Sequence, residues 1–132
     1  MSHLSHAEAR AIVAAALIAA AELDQPVAVA VCDAGGDLLA LERMDGASAI
    51  SSMAAAGKAS GAALSGVRTS ALAEVEDREA IRAMFVSVNR PAVLFGGGVP
   101  MRRNGIIVGA CGVSGASTEQ DEACADAGIA AV

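Results

Sequence analysis

Asn104-Gly105 stands between VPMRR (99–103) and IIVGACGV (106–113), and it commits the C-terminal part of the chain to a hairpin. A two-residue connection that matches the twist of its strands needs positive φ at both central residues. Asparagine and glycine accept that conformation at least cost. An antiparallel strand pair must therefore lie on either side of this dipeptide. The glycine triplet Gly96-Gly97-Gly98 precedes Val99-Pro100. Three glycines cost backbone entropy and need a reason, and here they read as a corner where the chain turns beside another element.

The remaining pattern supplies the other elements. Ser5 with Glu8 forms a capping box that opens a helix over 6–22, ended by Gln25-Pro26. VAVAVCD (27–33) is β-branched at alternate positions and reads as a strand. AGGD then turns the chain into LLALERM (38–44), with Asp33 serving the turn. Residues 48–65 are helical in pattern, with Ile50, Met53, Gly57, Gly61 and Leu64 on one stripe. Gly57 and Gly61 leave a shallow groove for close packing, on the sheet or on a subunit or ligand. Thr69 or Ser70 can cap a further helical stretch over 70–88 that breaks near Glu76 to Glu79. AVLF (92–95) is a strand candidate, and Thr118 with Asp121 opens a last helix. The sum is one α+β domain over 1–132, with a mostly antiparallel sheet of about five strands.

Composition narrows the function classes. The chain has 132 residues, 55% of them apolar, no Trp or Tyr, and a net charge of −6. An acidic chain whose densest basic group is Arg102-Arg103 lacks the basic face of a nucleic-acid binder. A core of alanine, glycine and valine buries little area per residue, and subunit contacts commonly recover it, so a homo-oligomer is expected. The apolar run 11–21 is too short to span a bilayer and lacks the basic start of a leader, so it reads as a helix covered on more than one face. Cys32, Cys111 and Cys124 show no metal-ligand or C-x-x-C spacing. They read as buried reduced thiols of a cytoplasmic protein.

The glycines do not make a nucleotide site. No Lys-Ser/Thr follows GGGVP, and GACGVSG (109–115) has the wrong glycine order and no βαβ setting. No Ser or Cys has a histidine partner suited to nucleophilic catalysis, because His3 and His6 sit at the first helix start. Several charged residues remain. Arg43 and Asp45 flank the end of the second strand, where a surface ion pair is the plain reading. Lys58 is the only lysine, mid-helix among small residues, and serves either a solvated face or a pocket. Glu119 and Asp121 suit the first turn of the last helix.

Taken together, VAVAVCDAGGDLLALERMDGA, KASGAAL and GGVPMRRNGIIVGACGVSGASTEQDEACADAG resemble the GlcG/HbpS family, also described as a haem-degrading domain and related to the C-terminal domain of PduO-type proteins. The resemblance covers nearly the whole chain. It implies a profilin-like α/β/α arrangement around a five-stranded antiparallel sheet, usually in higher oligomers, with haem or corrinoid bound by some members. Family positions carried onto this chain are Asp33, Gly36, Arg43, Asp45, Gly46, Lys58, Gly97, Gly98, Pro100, Gly112, Ser114, Gly115, Glu119 and Asp121. Where members carry Pro-Gly-Gly, this chain has Gly96 in the proline's place.

Three functions follow as expectations. The first is a small-molecule site for an organic acid, formed by Arg43, Asp45, Lys58, Gly97, Gly98, Ser114, Glu119 and Asp121. There, glycine amides and cations would hold the carboxylate, and Lys58, Asp45 or Asp121 would be the acid–base candidates. The second is tetrapyrrole binding, with His3, His6, a cysteine, or Met44, Met53, Met84 or Met101 as axial ligand. The third is an oligomer with no ligand of its own. A metal site built by the protein, a nucleic-acid partner and a membrane are not expected.

Overall fold

A computed structural model of the chain describes residues 3–132. Its elements run α1 (His6–Glu22), β1 (Ala28–Asp33), β2 (Leu38–Arg43), α2 (Ser51–Ser65), α3 (Thr69–Ala73), α4 (Arg78–Ser87), β3 (Gly98–Arg103), β4 (Ile106–Ser114) and α5 (Thr118–Ile129). The sheet has four antiparallel strands in the order β2-β1-β4-β3. Helices α1 and α5 pack together on one face and α2 covers the other, giving three layers.

The two hairpins form as their turn residues dictate. Asn104 and Gly105 take φ of 52° and 78°, both positive, between β3 and β4. In the first hairpin, Asp33 Oδ1 accepts the backbone N–H groups of Gly35 and Asp37, each at 3.0 Å. The central strand β1 alternates its faces. Val27, Val29 and Val31 enter the core shared with Ile12, Val13 and Ala16 of α1. Ala28, Ala30 and Cys32 face Ala55, Ala59 and Ala62 of α2. A fully buried valine is worth roughly 1.5 kcal/mol or more, so the α1/α5 face supplies most of the apolar stabilisation. The α2 face is built instead for closeness. A β-carbon on Gly98 would lie 2.3 Å from the Lys58 carbonyl oxygen, and one on Gly112 would lie 2.1 Å from that of Ala55.

Several expectations are corrected. The sheet has four strands in place of five, because 92–95 forms no ladder. That segment instead lies along α2, where the Val93 N–H donates to the Gly57 carbonyl at 3.3 Å. Gly57 and Gly61 accordingly face Val93 and Ala92 rather than the sheet. Helix α2 starts at Ser51, since residues 48–51 are held in a turn by Ser51 bonding to the Ser48 carbonyl. The stretch 70–88 divides into α3 and α4 across 74–77. Helix α1 buries one stripe only (Ala9, Ile12, Val13, Ala16 and Ala20), and Ile18 on its outer side is 62% exposed. The cap of α5 lies one residue earlier than expected. Ser117 accepts the Gln120 N–H, and Gln120 returns the bond to Ser117. Asp121 is thereby left free for another partner.

Candidate functional site

Lys58 points from α2 into the protein and is 1% exposed, so the solvated-face reading is overturned. Its ammonium donates to the Val113 carbonyl at 2.9 Å and to Asp121 Oδ2 at 3.2 Å. It also lies 5.0 Å from the centre of the Phe95 ring, within cation–π range. Asp121 Oδ1 accepts the Ala116 N–H at 3.0 Å, which holds the carboxylate in place. One ion pair thus ties α2, β4 and the start of α5 together. Burial pulls the Lys58 ammonium below the ordinary lysine range, and Asp121 opposes that shift.

The glycine corner closes over this pair. Gly97 has φ of 129°, and its carbonyl accepts the Val113 N–H at 2.9 Å. A β-carbon there would sit 2.4 Å from the Val113 carbonyl oxygen and 2.8 Å from Lys58 Nζ, so only glycine fits. The Gly98 N–H donates to Thr69 Oγ1 at 2.9 Å inside the protein. Thr69 is therefore no helix cap. Arg68 occupies the cap position of α3 without a side-chain bond, and the threonine hydroxyl serves the glycine corner. Gly96 lies against Thr118, whose Cγ2 would be 2.3 Å from an added β-carbon.

The structure brings together Lys58, Gly97, Gly98 and Asp121, with Ser114 next along β4 from Val113. It does not bring in Arg43, Asp45 or Glu119. Arg43 and Ser114 both pair with Ala28 from opposite sides, which puts two strand spacings, about 10 Å, between them. Arg43 makes no ion pair with Asp45 among the described residues, and its guanidinium reaches the Ala49 carbonyl at 3.5 Å. Glu119 is exposed, on an open groove of about 460 Å³ with Ser70, Thr118 and Glu122. Spacing alone gave no sign of Thr69 as a neighbour of the glycine corner, or of Phe95 as a neighbour of Lys58.

Other donors are distributed unequally. Cys32, Cys111 and Cys124 are free and buried. Burial pushes the Cys32 thiol up to about 12 and moves the other two upward as well, so all three remain poor metal ligands near neutrality. His3 lies in an open groove of about 400 Å³ beside Ile106, Ile107 and Val108 of β4 and the turn at Asp33, Ala34 and Gly35. This was the surface that sequence reasoning missed, because it needs the N-terminal residues to lie against the second hairpin.

These features define a three-layer α+β domain with an antiparallel four-stranded sheet fastened by a buried lysine–aspartate pair. Residues 4–130 match the family model described as "Haem degrading protein HbpS-like", and the chain belongs to that family. Protein GlcG of Escherichia coli K12 is 40% identical over 111 residues, covering 84% of this chain and 81% of GlcG. The corrinoid adenosyltransferase PduO of Citrobacter freundii is 35% identical over 130 residues. That match covers 98% of this chain but 39% of PduO, so the chain spans about two fifths of that relative. Among solved structures, a PduOC:heme complex is 33% identical over 98% of this chain and 95% of that one, with a TM-score of 0.87. A double mutant of Streptomyces reticuli HbpS is 33% identical over 100% of this chain and 88% of that one, with a TM-score of 0.86.

Proposed function

We propose that the protein binds a tetrapyrrole, with haem the form to test, in the groove between His3 and the second hairpin. The observation that carries this reading is the imidazole of His3 beside the apolar wall of Ile106, Ile107 and Val108. Haem sites combine an axial side-chain ligand with apolar walls, and this groove supplies both. The donor set fits as well, since the protonated, buried cysteines leave imidazole and thioether as the available ligands. When bound, the haem iron supplies one-electron redox chemistry. The protein's own part would be to hold the iron through His3 and to offer Ile106 and Ile107 as apolar packing for the macrocycle. The haem-bound PduOC relative supports the ligand class.

The organic-acid reading ranks second. Its one cation in a converged site, Lys58, already bonds Asp121 and Val113. A substrate carboxylate would have to displace Asp121 from a buried position, which costs more than an exposed ion pair returns.

Titration with ferric haem, followed by absorption, tests the proposal. A shifted Soret band is expected in the unaltered protein and its loss is expected in His3→Ala. No shift in the unaltered protein overturns tetrapyrrole binding. A shift unchanged in His3→Ala overturns the groove.

A further inference from the structure

Lys58 is the only lysine of the chain, and the haem groove makes no use of it. Its ammonium lies 5.0 Å from the centre of the Phe95 ring and bonds Asp121 Oδ2 at 3.2 Å. The lysine is 1% exposed and Phe95 is 51% exposed, so the ring meets the ammonium on one side and solvent on the other. This cover is loosely held. Residues 92–95 join no ladder, and their backbone bond to α2 is the 3.3 Å contact of Val93 with Gly57. Rotation of the Phe95 side chain uncovers Nζ without moving the glycine corner behind it.

Room for a small molecule adjoins the ring. Gly96, next in sequence, sits between Ser70 and Thr118, and both of these line the open groove of about 460 Å³. The groove carries Glu119, Glu122 and Asp126 against one guanidinium, that of Arg68, which pairs with the last two. Such an excess of negative charge repels an anion and suits a neutral ligand.

A buried amine beside a fixed carboxylate has the means to condense with a carbonyl group. Burial favours the neutral amine, while Asp121 favours the ammonium and can receive its proton. We infer that Lys58 forms a Schiff base with a small neutral aldehyde admitted past Phe95. Asp121 Oδ2 takes one proton from the ammonium, and the freed electron pair on nitrogen attacks the carbonyl carbon. As the C–N bond forms, the carbonyl π pair moves to oxygen, and a proton passes from nitrogen to that oxygen. Asp121 then returns its proton to the hydroxyl, the C–O bond breaks, and water leaves. The iminium keeps one positive charge on the same nitrogen, so the buried pair with Asp121 survives the reaction. An aldehyde thus avoids the displacement of Asp121 that a carboxylate ligand requires. Val113, at the lysine, lies about 17 Å along β4 from Val108 at the His3 groove, so this chemistry stands or falls independently of haem.

Reductive trapping with glyceraldehyde and cyanoborohydride, followed by tryptic peptide mapping, tests the inference. Trypsin does not cleave after an alkylated lysine, so the adduct is read as the undivided peptide 44–68. At pH 7, with the α-amino group as reference, Lys58 should label at least tenfold faster in the folded protein than in guanidinium chloride. A purely structural lysine gives the reverse, protection on folding, and that result overturns the inference. Phe95→Ala should speed the labelling of folded Lys58 further, and an unchanged rate overturns the ring's part as cover. Glyoxylate, scaled by its own rate at the α-amino group, should label Lys58 several-fold more slowly than glyceraldehyde. An equal or faster rate overturns the preference for a neutral aldehyde. Asp121→Asn should slow the labelling, and an unchanged rate overturns its part in proton transfer. If that variant fails to fold, the comparison of folded and unfolded unaltered protein decides alone.

Discussion

Gly112 of β4 passes beneath Ala55 of α2 so closely that a β-carbon on it would lie 2.1 Å from the Ala55 carbonyl oxygen and 2.5 Å from the Ala59 nitrogen. Both clashing groups are backbone, so the helix itself would have to lift off the sheet. Gly112→Ala should lower stability by about 3 kcal/mol or more, at the upper end of overpacking effects. Gly105→Ala is the matched control, because nothing lies within 4 Å of its β-carbon and only its φ of 78° is unfavourable. Its cost should stay near 1 kcal/mol. Urea denaturation of both variants checks the contrast.

The Lys58–Asp121 pair should behave as a coupled unit. Lys58→Met leaves a buried carboxylate without its cation and should cost about 3–5 kcal/mol. Adding Asp121→Asn removes the charge yet keeps an oxygen for the Ala116 N–H, and should restore much of the loss. A double-mutant cycle by chemical denaturation measures this, and additive single effects would show that the two residues act separately.

Gly96 and Thr118 offer a second cycle. Gly96→Ala should destabilise by about 1–3 kcal/mol, because its β-carbon meets Thr118 Cγ2 at 2.3 Å. Thr118→Ser deletes that methyl and should be nearly neutral alone. In the double variant it should recover most of the alanine penalty. The same clash accounts for glycine at 96 in this chain, where a proline ring would need still more room.

Stability should also depend on acid through Glu8. The Arg103 guanidinium, and then the Ser5 N–H, hold this carboxyl at about 2 in place of its usual 4.5. A depressed carboxyl contributes stability above its unfolded value, and that contribution disappears as pH falls through the folded one. The stability gap between the unaltered protein and Glu8→Gln should therefore be full at pH 6 and close between pH 4.5 and 2. Thermal melts across that range give the comparison. A gap that persists unchanged at pH 2 would falsify the assignment.

Features encoded within a few residues were legible in advance. The Asn104-Gly105 turn, the Asp33 turn and the Ser5–Glu8 box each depend on neighbours in sequence, and each forms as read. Segment 92–95 has strand-like residues, but whether it joins a sheet or lies along a helix depends on Gly57 leaving room for Val93. No local pattern carries that information. Lys58 could be singled out as unusual, but its burial depends on an aspartate 63 residues away. Of the proposed cluster, Asp121 joins by bonding the Lys58 ammonium, and Gly97 by bonding Val113, whose carbonyl that ammonium also reaches. Arg43, Asp45 and Glu119 belong to other parts of the surface.

The strand order carries a consequence for how this chain is made. Strand β1 is central, and its second neighbour is β4, with Ala28 paired to Ser114 near the far end of the chain. Helix α1 likewise waits for α5, against which it packs. During synthesis, residues 28–33 leave the ribosome as an apolar strand with one partner from the first hairpin and an open edge on the other side. Closing so long a loop is slow compared with local folding. The nascent N-terminal half is thus the aggregation-prone stage of the protein's life, and its exposure ends only when β4 arrives.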